Sequence, residues 1–97
     1  MKHKPEDIVF LEAYGSYVIV WLTDGRRTVH CRGLSYWQRL YDNRFVRIHH
    51  SFLVNRQAIS SINISKRTLR LYCDIELPIS RRKVKSIKDA MRILPAY

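Results

Sequence analysis

From Phe45 to Arg56 the chain reads Phe-Val-Arg-Ile-His-His-Ser-Phe-Leu-Val-Asn-Arg. No other stretch restricts the fold as strongly. Phe45, Val46 and Ile48 lead into a polar knot, His49-His50-Ser51, and Phe52, Leu53 and Val54 lead out of it. Short apolar runs bounded by polar residues read as buried strands or a short helix. A polar knot between them must be hydrogen-bonded internally or turned toward a partner. The plainest arrangement is a strand, a turn at the histidines and a second strand.

The rest of the chain offers partners for that hairpin. Ile8 to Leu11 reads as a short strand, broken by Glu12 to Gly15, and Tyr17 to Leu22 resumes with Val, Ile and Trp, residues that favour strands. Asp24-Gly25 between two such runs predicts a tight hairpin, because glycine tolerates the positive φ of the turn. Arg26 to Cys31 is the returning strand. After Gly33 the spacing becomes helical: Leu34, Trp37 and Leu40 share a face, with Ser35 as a cap, Asn43 near the stop and Trp37 as a core anchor. Ala58 to Ile64 reads as an imperfect strand and Lys66-Arg67 as a turn. Leu69, Leu71 and Cys73 alternate as a half-buried strand, and Asp74 to Glu76 turns into a last strand, Leu77 to Ile79. Pro78 has no backbone donor and marks that strand as an edge. Ser80 then caps a helix to about Leu94, with Val84, Ile87, Met91 and Leu94 as its apolar stripe and Pro95 as its end. The expected fold is mainly β: antiparallel hairpins in small stacked sheets, a short central helix and a C-terminal helix. It fills one domain over 1–97, with an ordered core of about 8–94.

Charge narrows the function. Eighteen Lys and Arg oppose eight Asp and Glu, a net +10, which favours a polyanionic partner. No stretch approaches the ~18 apolar residues of a spanning helix, and no apolar signal core follows Met1 to Pro5. The expectation is a cytoplasmic protein with no membrane contact by this segment. Cys31 and Cys73 are expected to be reduced core thiols. Adjacent His30-Cys31 and His49-His50 pairs diverge along a strand, so neither suits a metal. No cofactor motif appears, and His49, His50 and Ser51 have no neighbouring carboxylate to complete a triad, so no enzymatic activity is expected.

Arg81, Arg82 and Lys83 directly follow the expected Ser80 cap. Cations in a first helical turn oppose the helix dipole and cost a few tenths of a kcal/mol each. A docked phosphate reverses that penalty, and arginine can also fork onto guanine O6 and N7 in the major groove.

Phe45-Val46-Arg47-Ile48-His49 with Ser51-Phe52-Leu53-Val54-Asn55 resembles the core signature of the LytTR-type (LytR/AlgR family) DNA-binding domain of bacterial response regulators. Phe10-Leu11-Glu12-Ala13 with Gly15-Ser16-Tyr17-Val18 resembles that family's first strand and loop, and Leu77-Pro78-Ile79-Ser80-Arg81-Arg82 its closing strand-to-helix motif. The likeness runs from about Ile8 to Leu94. It implies an elongated β-sandwich that lays loops into successive major grooves, and sequence-specific double-stranded DNA binding in bacterial transcription regulation. It also implies base reading by Arg82 with Arg81 beside it, and by the Tyr14–Tyr17 loop, where Tyr17 and Ser16 are the candidates. His50 takes the phosphate-contacting position, with Arg47, Ser51, Lys83 and Lys85 as further phosphate candidates. His49 and Asn55 match the signature as hydrogen-bonding residues that shape the turn. Such domains usually sit behind a receiver or membrane module, and dimerisation on DNA fits the pattern. Three features depart from the family: the first loop has no basic residue, His50 stands where many members carry Arg, and Ile75 stands where a turn glycine is expected. The residues alone leave two alternatives: a general RNA or single-strand binder stacking bases on Tyr14, Tyr17 and Tyr72, and a basic protein-interaction domain.

Overall fold

The computed structural model describes residues 3–90, the side chain of Ala90 excepted. Among these described residues, eight strands and two α-helices follow one another: β1 (Ile8–Tyr14), β2 (Tyr17–Leu22), β3 (Arg27–His30), α1 (Leu34–Tyr41), β4 (Phe45–His49), β5 (Phe52–Asn55), β6 (Ile59–Asn63), β7 (Thr68–Leu71), β8 (Glu76–Pro78) and α2 (Val84–Ala90). The strands form two antiparallel sheets, a five-stranded one in the order β3-β2-β1-β5-β4 and a three-stranded one in the order β6-β7-β8. Pro78 lies on an edge strand, as its missing donor requires.

The Phe45–Arg56 hairpin sits in the larger sheet with both faces covered, which explains why apolar residues occupy both parities of its strands. Successive side chains of a strand point to opposite faces. Phe45 and Leu53 enter a core shared with Leu34, Trp37 and Tyr41 of α1. Val46, Ile48 and Val54 enter a second core with Ile59, Leu69, Leu71 and Leu77 of the smaller sheet, Ile79, and Ile87 of α2. Leu53 and Val54 are fully buried, each worth roughly 1.5–3 kcal/mol of burial, so truncating Leu53 to Ala would cost about 2–5 kcal/mol. β5 pairs with β1, Leu11 opposite Leu53, and so joins the hairpin to the sheet's other half.

Several local expectations are corrected. β1 runs on through Glu12 to Tyr14 because those residues pair with Ile19, Val18 and Tyr17, leaving a turn of only Gly15 and Ser16. The buried stripe of α1 is Leu34, Trp37 and Tyr41, with Leu40 exposed. Tyr41 is drawn in by stacking on Phe45, with ring centroids 5.0 Å apart, and by its hydroxyl donating to the carbonyl of His3 (2.7 Å). Gly33, not Ser35, stands at the N-cap of α1. Cys31 and Cys73 are exposed, not core thiols, because β7 ends at Leu71 and Cys73 falls in the following turn. In that turn Asp74 takes the positive φ (67°), a conformation short polar residues tolerate, so Ile75 needs no glycine-like backbone. Ser80 makes no side-chain cap. Its carbonyl accepts from Lys83 N–H (3.0 Å), and Arg81–Lys83 form a 3-10 turn that leads into α2 at Val84. The expected continuation of this helix through Met91 and Leu94 to Pro95 lies outside the described residues.

Candidate nucleic-acid interface

Three connecting segments meet at one end of the larger sheet. The β1–β2 turn is there because β1 ends at Tyr14 and β2 begins at Tyr17. The β4–β5 turn joins it because β5 starts beside the end of β1: Glu12 lies opposite Phe52, and Ala13 N–H donates to the Ser51 carbonyl (2.8 Å). The approach to α2 joins both because Ser80 N–H donates to the carbonyl of Ile48 (2.9 Å). Tyr14–Tyr17, His49–Ser51 and Arg81–Lys83 are thereby tied to one rigid edge by backbone hydrogen bonds. The Lys66-Arg67 turn reaches the same end, since Ile79 N–H donates to the Arg67 carbonyl (2.8 Å). β3 also ends here, with His30 opposite Val18, so Cys31 and Arg32 leave the sheet near Tyr17.

The two histidines of the central turn have different surroundings. His49 faces inward. Its Nδ1 accepts the N–H of Ser51 (3.0 Å) and its ring tilts against Phe52 at 5.6 Å. His50 is exposed at the tip. Arg47 folds back beneath them: Nε donates to the His49 carbonyl (2.9 Å), Nη2 to the His50 carbonyl (2.8 Å) and Nη1 to Oε1 of Gln38 (3.1 Å). Partial burial lowers its pKa from the usual guanidinium value. Three of its five donor positions are engaged in bracing the turn, so its geometry is that of a scaffold. Asn55 is buried at the far end of β5 and donates to the carbonyls of Pro5 (3.1 Å) and Ile8 (2.9 Å), while its Oδ1 accepts from Gln57 N–H (3.0 Å). Both signature residues, His49 and Asn55, thus organise backbone.

The outward-facing residues are chemically distinct. Tyr14 and Tyr17 are 68 % and 52 % exposed beside exposed Ser16, so the first loop offers rings and a hydroxyl but no charge. Arg81, Arg82 and Lys85 are exposed and Lys83 is half-buried, while Val84 and Ile87 of the same segment turn into the core. At the opposite end Glu6, Asp7, Asp24 and Asp42 are interspersed with Lys4, Arg26, Arg44 and Arg56 on the turns and strand starts. Asp24 is tied up in its own hairpin with Arg26 (2.7 Å), and this contact, led by the Arg26 backbone N–H, lowers its pKa. Cations are in clear excess at the end that carries the three loops, where Arg32, Lys66, Arg67, Arg81, Arg82 and Lys83 stand. Tyr72 lies at the other end, its N–H on the Ala58 carbonyl (3.0 Å), so the three tyrosines do not form one stacking platform. Among the described residues no cluster of three or more His, Cys, Asp or Glu is placed to hold a metal, and no helix is long and apolar enough to cross a membrane.

A family model for the LytTr DNA-binding domain matches residues 1–92. The chain belongs to the LytTR family of DNA-binding domains. In fold, this LytTR domain is similar to a LytTr DNA-binding domain from Bacillus cereus described as part of a methyl-accepting/DNA response regulator, with a TM-score of 0.84 at 21 % identity, covering 94 % of this chain and 86 % of that one. No curated protein matches the chain.

The structure brings the residues singled out in the sequence, Ser16, Tyr17, Arg47, His50, Ser51, Arg81, Arg82, Lys83 and Lys85, to this end of the LytTR domain or onto the helix leading from it. Arg32, Lys66 and Arg67 also stand at this end, and the sequence alone does not single them out. Lys66-Arg67 read as a plain turn, and its position beside Ile79 depends on the pairing of the smaller sheet. For Arg32 the only local signal was a cation directly before Gly33.

Proposed function

We propose that this LytTR domain, a single unit over 1–97, recognises specific double-stranded DNA as the DNA-binding part of a bacterial transcription regulator, reading successive major grooves with loops. The reading rests on one observation above all. Three turns far apart in sequence are hydrogen-bonded into one positively charged edge, through Ala13 to Ser51 and Ser80 to Ile48. From β3 to β4 that edge spans four strand spacings, roughly 20 Å at ~4.8 Å each. The major groove is about 12 Å wide, so loops at the two ends of the row meet different parts of a duplex. In this reading Arg82 forks onto guanine, Arg81 assists, and Ser16 and Tyr17 enter the neighbouring groove. His50, Ser51, Lys83 and Lys85 hold phosphates, and Arg47 keeps the central turn in shape. In this reading the full-length protein carries a receiver module, and two copies on adjacent half-sites lengthen the readout.

The test is selection of bound duplexes from a random pool, followed by titration of the enriched duplex against salt. Enrichment of a common sequence is expected. If about four to eight phosphates are neutralised, log K falls with log salt at a slope of roughly −4 to −7. Binding without enrichment would reduce the function to non-specific association, and a slope near zero would remove nucleic acid as the partner.

A further inference from the structure

The first loop of the interface lacks a cation. Tyr14, Gly15, Ser16 and Tyr17 carry none, yet this half of the edge has to hold a polyanion if loops at both ends engage the duplex. β3 lies beside β2 and ends where β2 begins, with His30 opposite Val18. Two residues further on is Arg32, an exposed arginine. Its surroundings fix it in place. The indole Nε1–H of Trp37 donates to its carbonyl (3.2 Å), and its guanidinium lies over the Tyr36 ring, 4.6 Å from the centroid. Tyr36 is held edge-on to Trp37 (5.6 Å), which is itself buried and stacked on Tyr41. The aromatic column that anchors α1 therefore ends, at its outer edge, in a positioned cation.

We infer that Arg32 is the phosphate-contacting residue of the first-loop half of the interface, presented on Tyr36 to the DNA backbone flanking the groove that Ser16 and Tyr17 enter. A guanidinium stacked on a ring uses its face for the ring, while its N–H donors point outward in its plane. The cation–π contact and a phosphate contact are therefore compatible, and the first pre-organises the second. Tyr36 is then a positioning residue. The inference rests on the duplex-binding reading and deepens it, placing arginines at both ends of the row, Arg32 at one and Arg81 and Arg82 at the other.

The experiment compares wild type, Arg32→Ala, Arg32→Lys and Tyr36→Leu on the selected duplex and on a random duplex across a salt series. Arg32→Ala is expected to weaken both duplexes about equally, some three- to tenfold at moderate salt, and to shrink the salt slope by about one. Arg32→Lys should keep the slope with a smaller loss. Tyr36→Leu should keep the slope and lose affinity, because the charge remains but is no longer held. Unchanged circular dichroism and thermal midpoint in Arg32→Lys control for folding. If wild type binds its selected duplex and Arg32→Ala matches it in affinity and slope, the inference is overturned and the wider reading stands. A loss confined to the selected duplex overturns the phosphate assignment and makes Arg32 a base reader. If wild type binds no duplex, both readings fall.

Discussion

Replacing Arg47 with Ala separates bracing from binding at the centre of the interface. The side chain makes three hydrogen bonds, to the carbonyls of His49 (2.9 Å) and His50 (2.8 Å) and to Gln38 (3.1 Å). Hydrogen bonds to charged groups contribute about 1.5–3 kcal/mol when buried. Two of these three are exposed, so about 0.5–1 kcal/mol each is the fitting scale, and the sum is about 1.5–3 kcal/mol. For a chain of this size that lowers the thermal midpoint by about 8–15 °C. Arg47→Ala should also weaken DNA binding with little change in salt slope, since the turn carrying His50 and Ser51 loosens while no engaged phosphate partner is removed. Urea unfolding gives the first quantity and a salt-titrated binding assay the second. If stability moves by less than ~0.5 kcal/mol while the salt slope drops by about one, Arg47 is a phosphate ligand and the bracing argument is wrong.

Other expectations follow from the same contacts. Asn55→Ala removes three hydrogen bonds from a buried site and should cost about 2–4 kcal/mol by urea unfolding; a loss below ~1 kcal/mol would show that the carbonyls of Pro5 and Ile8 need no such partner. Burial, followed by the charge of nearby His3, lowers the pKa of His30 from the ordinary 6.5. The unfolded chain then binds a proton before the folded one does. Stability should be full above about pH 6.5 and fall as pH drops from there toward the lowered folded value. His30→Gln should flatten that part of the pH–stability curve, and an unchanged curve would contradict the assignment. His50→Ala, at the exposed tip of the central turn, should weaken binding to selected and random duplexes about equally without altering the preferred sequence. A loss confined to the selected duplex would take His50 off the phosphates.

Local pattern went far because several segments are decided locally. Asp24-Gly25 could only be a hairpin turn, and Gly25 adopts φ 90°. The Phe45–Arg56 run, apolar at both parities, needed a cover on each side and has one. What pattern could not settle depended on partners distant in sequence. Leu40 and Tyr41 both suit the inner face of α1 by spacing; Phe45 and the His3 carbonyl decide for Tyr41. The role of Arg47 was hidden because its acceptors are carbonyls two and three residues on, in a turn whose shape it helps create. Cys73 continued the alternation of β7 in sequence, but the turn at Asp74 takes it out of the strand. At the interface, Arg81, Arg82 and His50 were visible through motif and charge. Arg32 stands out only through the fold, because β3 carries it beside the first loop and α1 places Tyr36 beneath it.

The central claim, that this edge reads base sequence, is tested most directly at Arg82. The structure leaves it exposed on the turn before α2, while Val84 and Ile87 of the same segment face the core. The decisive measurement is the ratio of affinities for the selected and a random duplex, at one salt concentration, in wild type and Arg82→Ala. A forked arginine–guanine contact contributes ~1–3 kcal/mol of discrimination, so the ratio should collapse by about 5- to 150-fold. Arg82→Lys should restore only part of it, because a point charge cannot reproduce the planar fork. Equal losses on both duplexes, with the ratio intact, would assign Arg82 to the phosphate backbone and contradict base reading from this turn.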